Sequence, residues 1–332
     1  MATLRPSAAN NGSLSWARRF FRPLGFANGS RSGLFLVFGG LMMLFCVERL
    51  NWYLNNAVCS RPDLDIPGEC YRYHHGFHGA AYRLHIVTVI PGSFLACLQF
   101  IPALQRGKFV LFHRISGYLV LVLSILGAVT AGIIGNVAVG GTLLMQVGQF
   151  VAVGSFGFAL AMAYISIRRL EIDQHREWML RAWSYAGMII TMRPMLITMA
   201  LAISGPESPY YQPMACKIID FILHGSHEGM DNGPHEKMMD LTPGCAAYVT
   251  GENPAQFTAV RANWADDNIV ETAAAIQIAF TMSGYLSFLI HAAAAELYIN
   301  KTSGESERLR VVSKHRRMPD ILNLTSGSHQ EK

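Results

Sequence analysis

Charged residues are scarce in this chain. Asp, Glu, Lys and Arg together make up 15% of its 332 residues, whereas soluble domains contain roughly 25%. Hydrophobic residues make up 51%, and most of the charge lies outside the long apolar runs. This composition argues against a soluble domain and favours an integral membrane protein. The net charge of +5 is mostly a signal of membrane topology, and nothing indicates nucleic-acid binding.

The apolar residues fall into six runs, each long enough to cross a hydrocarbon core about 30 Å thick. The second run is interrupted by Arg83, His85 and Pro91, and the fifth by Arg193. The sequence therefore predicts an all-α, polytopic transmembrane helix bundle of about six spans, with the second to fifth as a four-helix core. The six runs are 33–52, 80–101, 113–136, 142–167, 180–204 and 269–298.

These runs divide the chain into segments, with a possible interfacial helix at Met214–Leu223. The predicted segments are a basic cytoplasmic tail at 1–32, the first transmembrane helix at 33–52, the four-helix membrane core at 75–205, an external loop region at 206–268, the last transmembrane helix at 269–298 and a basic cytoplasmic tail at 299–332.

Acidic residues are absent from 1–32, which carries five arginines, and Lys and Arg are absent from the turn between the third and fourth spans. The positive-inside rule therefore places both termini in the cytoplasm, as an even number of spans requires. The first apolar run is too long for the core of a cleavable signal peptide. We expect an uncleaved anchor in the endoplasmic reticulum, another endomembrane or the plasma membrane.

Cysteine is rare, and the close CxxC spacing of many metal sites is missing. Cys46 and Cys97 lie within predicted spans. The other four fall on the predicted external side, where disulfides persist. They predict two disulfides, but three pairings are open. These four cysteines are Cys59, Cys70, Cys216 and Cys245.

Ionisable side chains inside a span are costly unless they pair, bind a ligand or take part in chemistry. Here the polar residues of the spans, ionisable or not, form two predicted layers. The outer layer contains His85, Gln146, Gln149, Arg193 and Glu271. The cytoplasmic layer contains His113, His175, Arg181 and His291.

The first functional hypothesis is a membrane-embedded oxidoreductase that acts on a small lipophilic substrate. A b-type haem needs two axial ligands from facing helices, and neutral imidazole is suited to iron. Two of His113, His175 and His291 can supply that pair. The guanidinium groups that would neutralise the haem propionates or an anionic substrate belong to Arg114, Arg176 and Arg181.

Two other functions stay open. A cofactor-free isomerase or cyclase would use His85 as its base, with Arg193 or Glu271 stabilising charge. A transporter would use the proline-interrupted second and fifth spans, although the apparent repeat has one orientation and is not inverted. Structural roles compete with each hypothesis, because a His-Arg pair at a helix start can anchor the helix among lipid headgroups.

The chain resembles a family of predicted four-helix integral membrane proteins that is classed as a domain of unknown function. The resemblance covers roughly residues 75–205, and HREWMLR is its most specific piece. The N-terminal span and the external loop are similar to those of fungal members. Small lipophilic substrates, such as those of fungal secondary metabolism, fit a membrane-embedded site. The family also resembles four-helix b-type cytochromes in size and histidine placement, although paired histidines on both sides are not reproduced here. The pattern is carried by His85, His113, Arg114, Gly117, His175, Arg176, Trp178, Met179, Arg181 and Arg193.

Overall fold

A computed structural model of the chain describes residues 24–26, 29–55, 66–73, 76–224, 236–264 and 268–327. Most of the predicted N-terminal tail and Cys59 lie outside these residues. Within them, the helices are α1 (Gly29–Asn55), α2 (Cys70–Tyr73), α3 (Gly76–Gln99), α4 (Val110–Gly135), α5 (Leu143–Arg168), α6 (Ile172–Ile203), α7 (Cys216–His224), α8 (Glu236–Leu241), α9 (Ala246–Val249), α10 (Ile269–Lys301) and α11 (Ser303–Gly327). The strands are β1 (Tyr211–Ala215) and β2 (Phe257–Arg261).

Six of the described helices are long and apolar enough to span a membrane, namely α1, α3, α4, α5, α6 and α10. Their outer faces carry large exposed apolar side chains such as Leu44, Leu111 and Leu289, which would be unfavourable in water and which a bilayer would cover. The predicted all-α, multi-pass architecture is confirmed, and the protein is a multi-pass integral membrane protein.

Helix α6 begins at Ile172, eight residues before the start that hydropathy predicted. Its first two turns are polar, yet their polar groups have partners within the protein. The Ile172 amide donates to Ser313 Oγ at 2.9 Å, and Asp173 Oδ1 accepts from the same hydroxyl at 2.9 Å. Because these contacts satisfy the helix start, α6 extends beyond its apolar run.

The chain divides into two compact units. The first contains α1 together with residues 86–99 of α3 and 110–127 of α4. There, Gln99 Nε2 donates to Ser116 Oγ at 2.7 Å, as expected for an interhelical hydrogen bond in a membrane. Cys46 and Cys97 are buried free thiols, in agreement with their predicted place within spans.

The second unit contains residues 128–332 and 56–85, as far as they are described. Its central element is α6, which packs along α10 and α5. Fully buried alanines, including Ala182, Ala200 and Ala275, let the helix backbones approach closely, as small residues do in membrane bundles.

The region between α6 and α10 forms a small folded layer on the first turns of α10. Strands β1 and β2 pair antiparallel, with Tyr211 opposite Arg261, and a disulfide joins Cys216 to Cys245. Cys70 is also disulfide-bonded. Residues 211–215 are a strand and α7 begins at Cys216, so the predicted helix at Met214–Leu223 is wrong in its first two residues. The core consists of Met214, Cys216, Ile219, Met238, Cys245, Val260, Val270, Ala273 and Ala274.

A buried carboxylate holds the turn between α4 and α5. Glu69 accepts hydrogen bonds from the backbone of Val139 and Gly140, two residues with positive φ of 47° and 83°. Burial raises the pKa of Glu69 above 4.5, although these hydrogen bonds and the nearby Arg72 oppose the shift. The native state therefore binds the Glu69 proton more tightly than the unfolded chain does.

We expect the free energy of unfolding to fall as the pH rises above 4.5 towards the native pKa of Glu69, since stability is greatest where both states are protonated. Glu69→Gln should flatten this part of the profile. Thermal unfolding in detergent between about pH 4.5 and 8 would measure it, with the exposed Glu252→Gln as control. An unchanged profile in Glu69→Gln would show that Glu69 does not cause the pH dependence.

Candidate functional site

His291 lies on α10, is 6% exposed, and contacts α6 through both ring nitrogens. Its Nδ1 is 2.8 Å from the carbonyl oxygen of Ser184, and its Nε2 is 2.7 Å from Thr191 Oγ1. Because a carbonyl can only accept, Nδ1 carries a proton and, in the neutral ring, Nε2 accepts from the threonine hydroxyl. A Cβ added at Gly187 would lie 3.3 Å from the ring. His291 therefore joins α10 to α6.

His175 has a different arrangement at the start of α6. Its Nδ1 is 2.8 Å from the carbonyl oxygen of Ala163, so Nδ1 carries the proton and Nε2 of the neutral ring keeps its lone pair. Among the residues that the structure describes, Nε2 of His175 has no hydrogen-bond partner. In metal-ligating histidines, the ring nitrogen that does not bind the metal typically donates to a group such as a backbone carbonyl.

The structure does not bring His175 and His291 together. His291 packs against Gly187, which is 12 residues along α6 from His175, or about 18 Å at the rise of an α-helix. Two imidazoles that far apart cannot bind one iron. His113 and Arg114 lie in the first unit on α4, where His113 is half-buried and Arg114 exposed.

Of the three arginines predicted to bind a cofactor, the two in the second unit have partners within the protein. Arg176 donates to Ser306 Oγ at 3.2 Å and to Thr302 Oγ1 at 2.7 Å. Arg181 makes a bidentate pair with Glu296 at 2.6 and 2.9 Å. Sequence reasoning missed Glu296, although an acidic residue within the last apolar run was a signal that a basic partner was needed.

The predicted catalytic residues are also spread out. Glu271 lies at the first turn of α10, where it accepts from Arg261 Nη2 at 3.1 Å and from Asn263 Nδ2 at 3.2 Å. Arg193 follows Met192, whose sulfur faces Gly284 of α10. Thirteen residues of α10 separate Gly284 from Glu271, or about 20 Å, so Glu271 is not at the level of Arg193.

His85, the predicted base, lies on α3 in the second unit. Its Nδ1 is 3.3 Å from Thr130 Oγ1 on α4. A hydrogen bond between neighbouring helices agrees with a structural role for this ring. Its catalytic role stays a prediction.

A cleft opens between α5, α6 and α10. Its outer part is an apolar groove of about 420 Å³, lined mainly by leucine and methionine, with Thr281 and Tyr285 as its only two polar residues. Thr281 and Tyr285 also line a narrower inner part of about 70 Å³. The other inner residues are Met145, Gly148, Gln149, Val151, Ala152, Met188, Ile189, Met192, Phe280, Gly284 and Phe288.

Polar groups in this cleft are few, and two of them are already hydrogen-bonded. The Tyr285 hydroxyl donates to the carbonyl oxygen of Leu144 at 2.8 Å, and Thr281 donates to the carbonyl oxygen of Gln277 at 3.2 Å. The amide of Gln149 has no hydrogen-bond partner among the described residues. The sequence had placed Gln149 in the outer polar layer, but the methionines and glycines around it carried no signal of a site.

A comparison with protein families finds a match for part of the chain. Residues 82–218 match the model of a family described as "Predicted membrane protein (DUF2306)". The matched segment contains α5 and α6, two of the three cleft helices, and ends before α10. No curated protein matches the chain, and no solved structure does. The family description names no activity.

Proposed function

We propose that this integral membrane protein binds a small lipophilic molecule in the cleft between α5, α6 and α10. The observation that carries the proposal is Gln149, a half-buried residue that lines the inner part of the apolar cleft and whose stem packs against Gly135 at the end of α4. An amide without a partner in an apolar medium costs several kcal/mol. A ligand with an apolar body and one polar group would satisfy it.

The lining supports a ligand of this chemistry. Small-molecule sites are mostly apolar concave surfaces with a few polar groups that fix orientation, and this cleft has that composition. Met145, Met188 and Met192 contribute flexible, polarisable walls that adapt to ligand shape. Gly148 lets the Tyr285 ring pack closely against α5, and a Cβ added at Gly284 would lie 3.7 Å from the Met192 sulfur.

Filling the cleft tests the proposal. A leucine at Gly284 would point towards Met192, because an added Cβ lies 3.7 Å from the Met192 sulfur. The matched control is Gly154→Leu on α5, where an added Cβ meets nothing within 4 Å. We expect mass spectrometry of organic extracts from the purified proteins to find a small molecule whose yield falls about tenfold in Gly284→Leu and stays unchanged in Gly154→Leu. Equal extracts from all three proteins would contradict the proposal.

A second candidate function is redox chemistry with haem b, and the geometry of His175 favours it. With Nδ1 donating to the Ala163 carbonyl, Nε2 of His175 could hold the haem iron. His291 is not available to the iron, because both of its ring nitrogens contact α6. Bound haem would supply one-electron transfer to the lipophilic substrate.

An absorption spectrum separates the haem hypothesis from cofactor-free binding. In protein from haem-sufficient cells, the reduced-minus-oxidised spectrum should contain a sharp α-band that His175→Ala abolishes. His291→Ala should keep the band, since His291 binds α6 and not the iron. A flat spectrum of the folded wild-type protein would refute haem binding and leave the cleft proposal untouched.

A further inference from the structure

Helix α11 follows the last spanning helix with only Thr302 between them, and one of its faces is fixed to the start of α6. Ser306 accepts from Arg176 at 3.2 Å, Ser313 accepts from the Ile172 amide at 2.9 Å, and Arg317 pairs with Glu171 at 3.5 Å. Ser306 and Ser313 are buried. The helix therefore has a defined position on the protein.

The spacing of these contacts shows that α11 runs past the end of α6. From Ser306 to Ser313 is about 10 Å along α11, while their partners Arg176 and Ile172 are only about 6 Å apart along α6. After Ser313 the remaining contact is to Glu171, the residue before α6 begins. Residues 314–318 consequently lie beyond the first residue of α6, on the side of the membrane where that helix begins.

The opposite face of α11 is exposed and combines cations with apolar groups. Lys314 and His315 lie three and four residues after Val311, and Met318 lies four and three residues after them, so these four residues share this face. Val311 is 49% and Met318 53% exposed. We name Val311, Lys314, His315 and Met318, together with the neighbouring exposed Arg316, the α11 basic face.

Charge on this face is not balanced within the described part of the protein. Arg308 and Arg310 pair with Glu305 and Glu307 on the same helix, and Arg317 pairs with Glu171. Lys314 and Arg316 are exposed, and neither makes an ion pair with a described residue. Arg169, in the turn that precedes α6, adds a third exposed cation near this end.

We propose that the α11 basic face binds anionic lipid headgroups at the membrane surface. Lys and Arg beside a spanning helix are attracted to anionic lipid, and each contributes about fivefold in affinity. The exposed valine and methionine fit the same surface, since an interfacial helix inserts apolar side chains at the headgroup boundary. The docked opposite face holds α11 in place, so it binds as part of the folded protein.

The test uses the full-length protein in nonionic detergent with an environment-sensitive dye on His315→Cys. Cys46 and Cys97 are buried, and dye-treated wild-type protein gives the background. The titrants are dihexanoyl phosphatidylserine, dihexanoyl phosphatidylcholine and inorganic phosphate. We expect a saturable blue shift with phosphatidylserine alone, weakened by salt. The double variant Lys314→Gln/Arg316→Gln should bind about 25-fold more weakly, and the exposed Lys217→Gln on α7 should bind as the parent does.

Each other outcome would overturn the assignment. An equal response to phosphatidylcholine would mean that the site does not distinguish an anionic headgroup from a zwitterionic one. An equal response to inorganic phosphate would make this an ion site. An unchanged affinity in the double variant would mean that the lipid binds at another part of the protein. A blue shift of the dye produced only by added cytosolic protein would identify a protein partner instead.

Discussion

His291→Ala is expected to lower the free energy of unfolding of the second unit by about 2–4 kcal/mol. The substitution removes both ring hydrogen bonds to α6 and leaves a cavity beside Gly187. Interhelical hydrogen bonds in membranes contribute roughly 0.6–1 kcal/mol each, so the cavity supplies the larger part. Unfolding in mixed detergent micelles would measure the loss.

Two variants show whether the loss comes from this contact. Thr191→Val keeps the ring and removes one hydrogen bond, so it should cost about 1 kcal/mol. His315→Ala changes an exposed histidine on α11 and should cost less than about 0.5 kcal/mol. If His291→Ala is as mild as His315→Ala, His291 does not join the two helices.

Removal of the Cys216–Cys245 disulfide is expected to destabilise the small layer of β1, β2 and α7. The bond closes a loop with a sequence separation of 29, for which loop-closure entropy predicts about 3–4 kcal/mol. In Cys216→Ala/Cys245→Ala, amides of β2 should exchange with deuterium about two to three orders of magnitude faster. The opening is local, because the spanning helices keep their own packing.

The matched control removes the two free thiols. Cys46→Ala/Cys97→Ala changes residues of the first unit, so exchange in β2 should equal that of the wild type. Unchanged β2 exchange in Cys216→Ala/Cys245→Ala would mean that the apolar core around Ile219 and Val260 suffices to hold this layer.

Hydropathy predicted the number of spans because lipid exposure imposes one requirement, a long apolar run, on each helix. It could not predict the start of α6, where Asp173 and His175 are compensated by partners far along the chain, Ser313 and Ala163. The β1–β2 pair was missed for a similar reason. Its strands begin about 46 residues apart in sequence, and Pro213 weakens the strand pattern of β1.

The candidate sites were harder to predict because they depend on which helix faces are opposed. The sequence placed His175 and His291 in one layer on the assumption that their helices end at similar depths. Helix α6 has 32 residues, and its early start places His175 about 18 Å from Gly187, which contacts His291. The cleft was not predictable, since glycines and methionines on three helices become a site only once those helices are packed.

Photolabelling with a short-chain alkyl diazirine tests the central claim, that the cleft between α5, α6 and α10 is a site for a lipophilic molecule. We predict saturable labelling of 144–152, 188–192 and 280–289, reduced about tenfold in Gly284→Leu and unchanged in Gly154→Leu. Uniform labelling of all lipid-facing helices, with the same pattern in Gly284→Leu, would contradict the account.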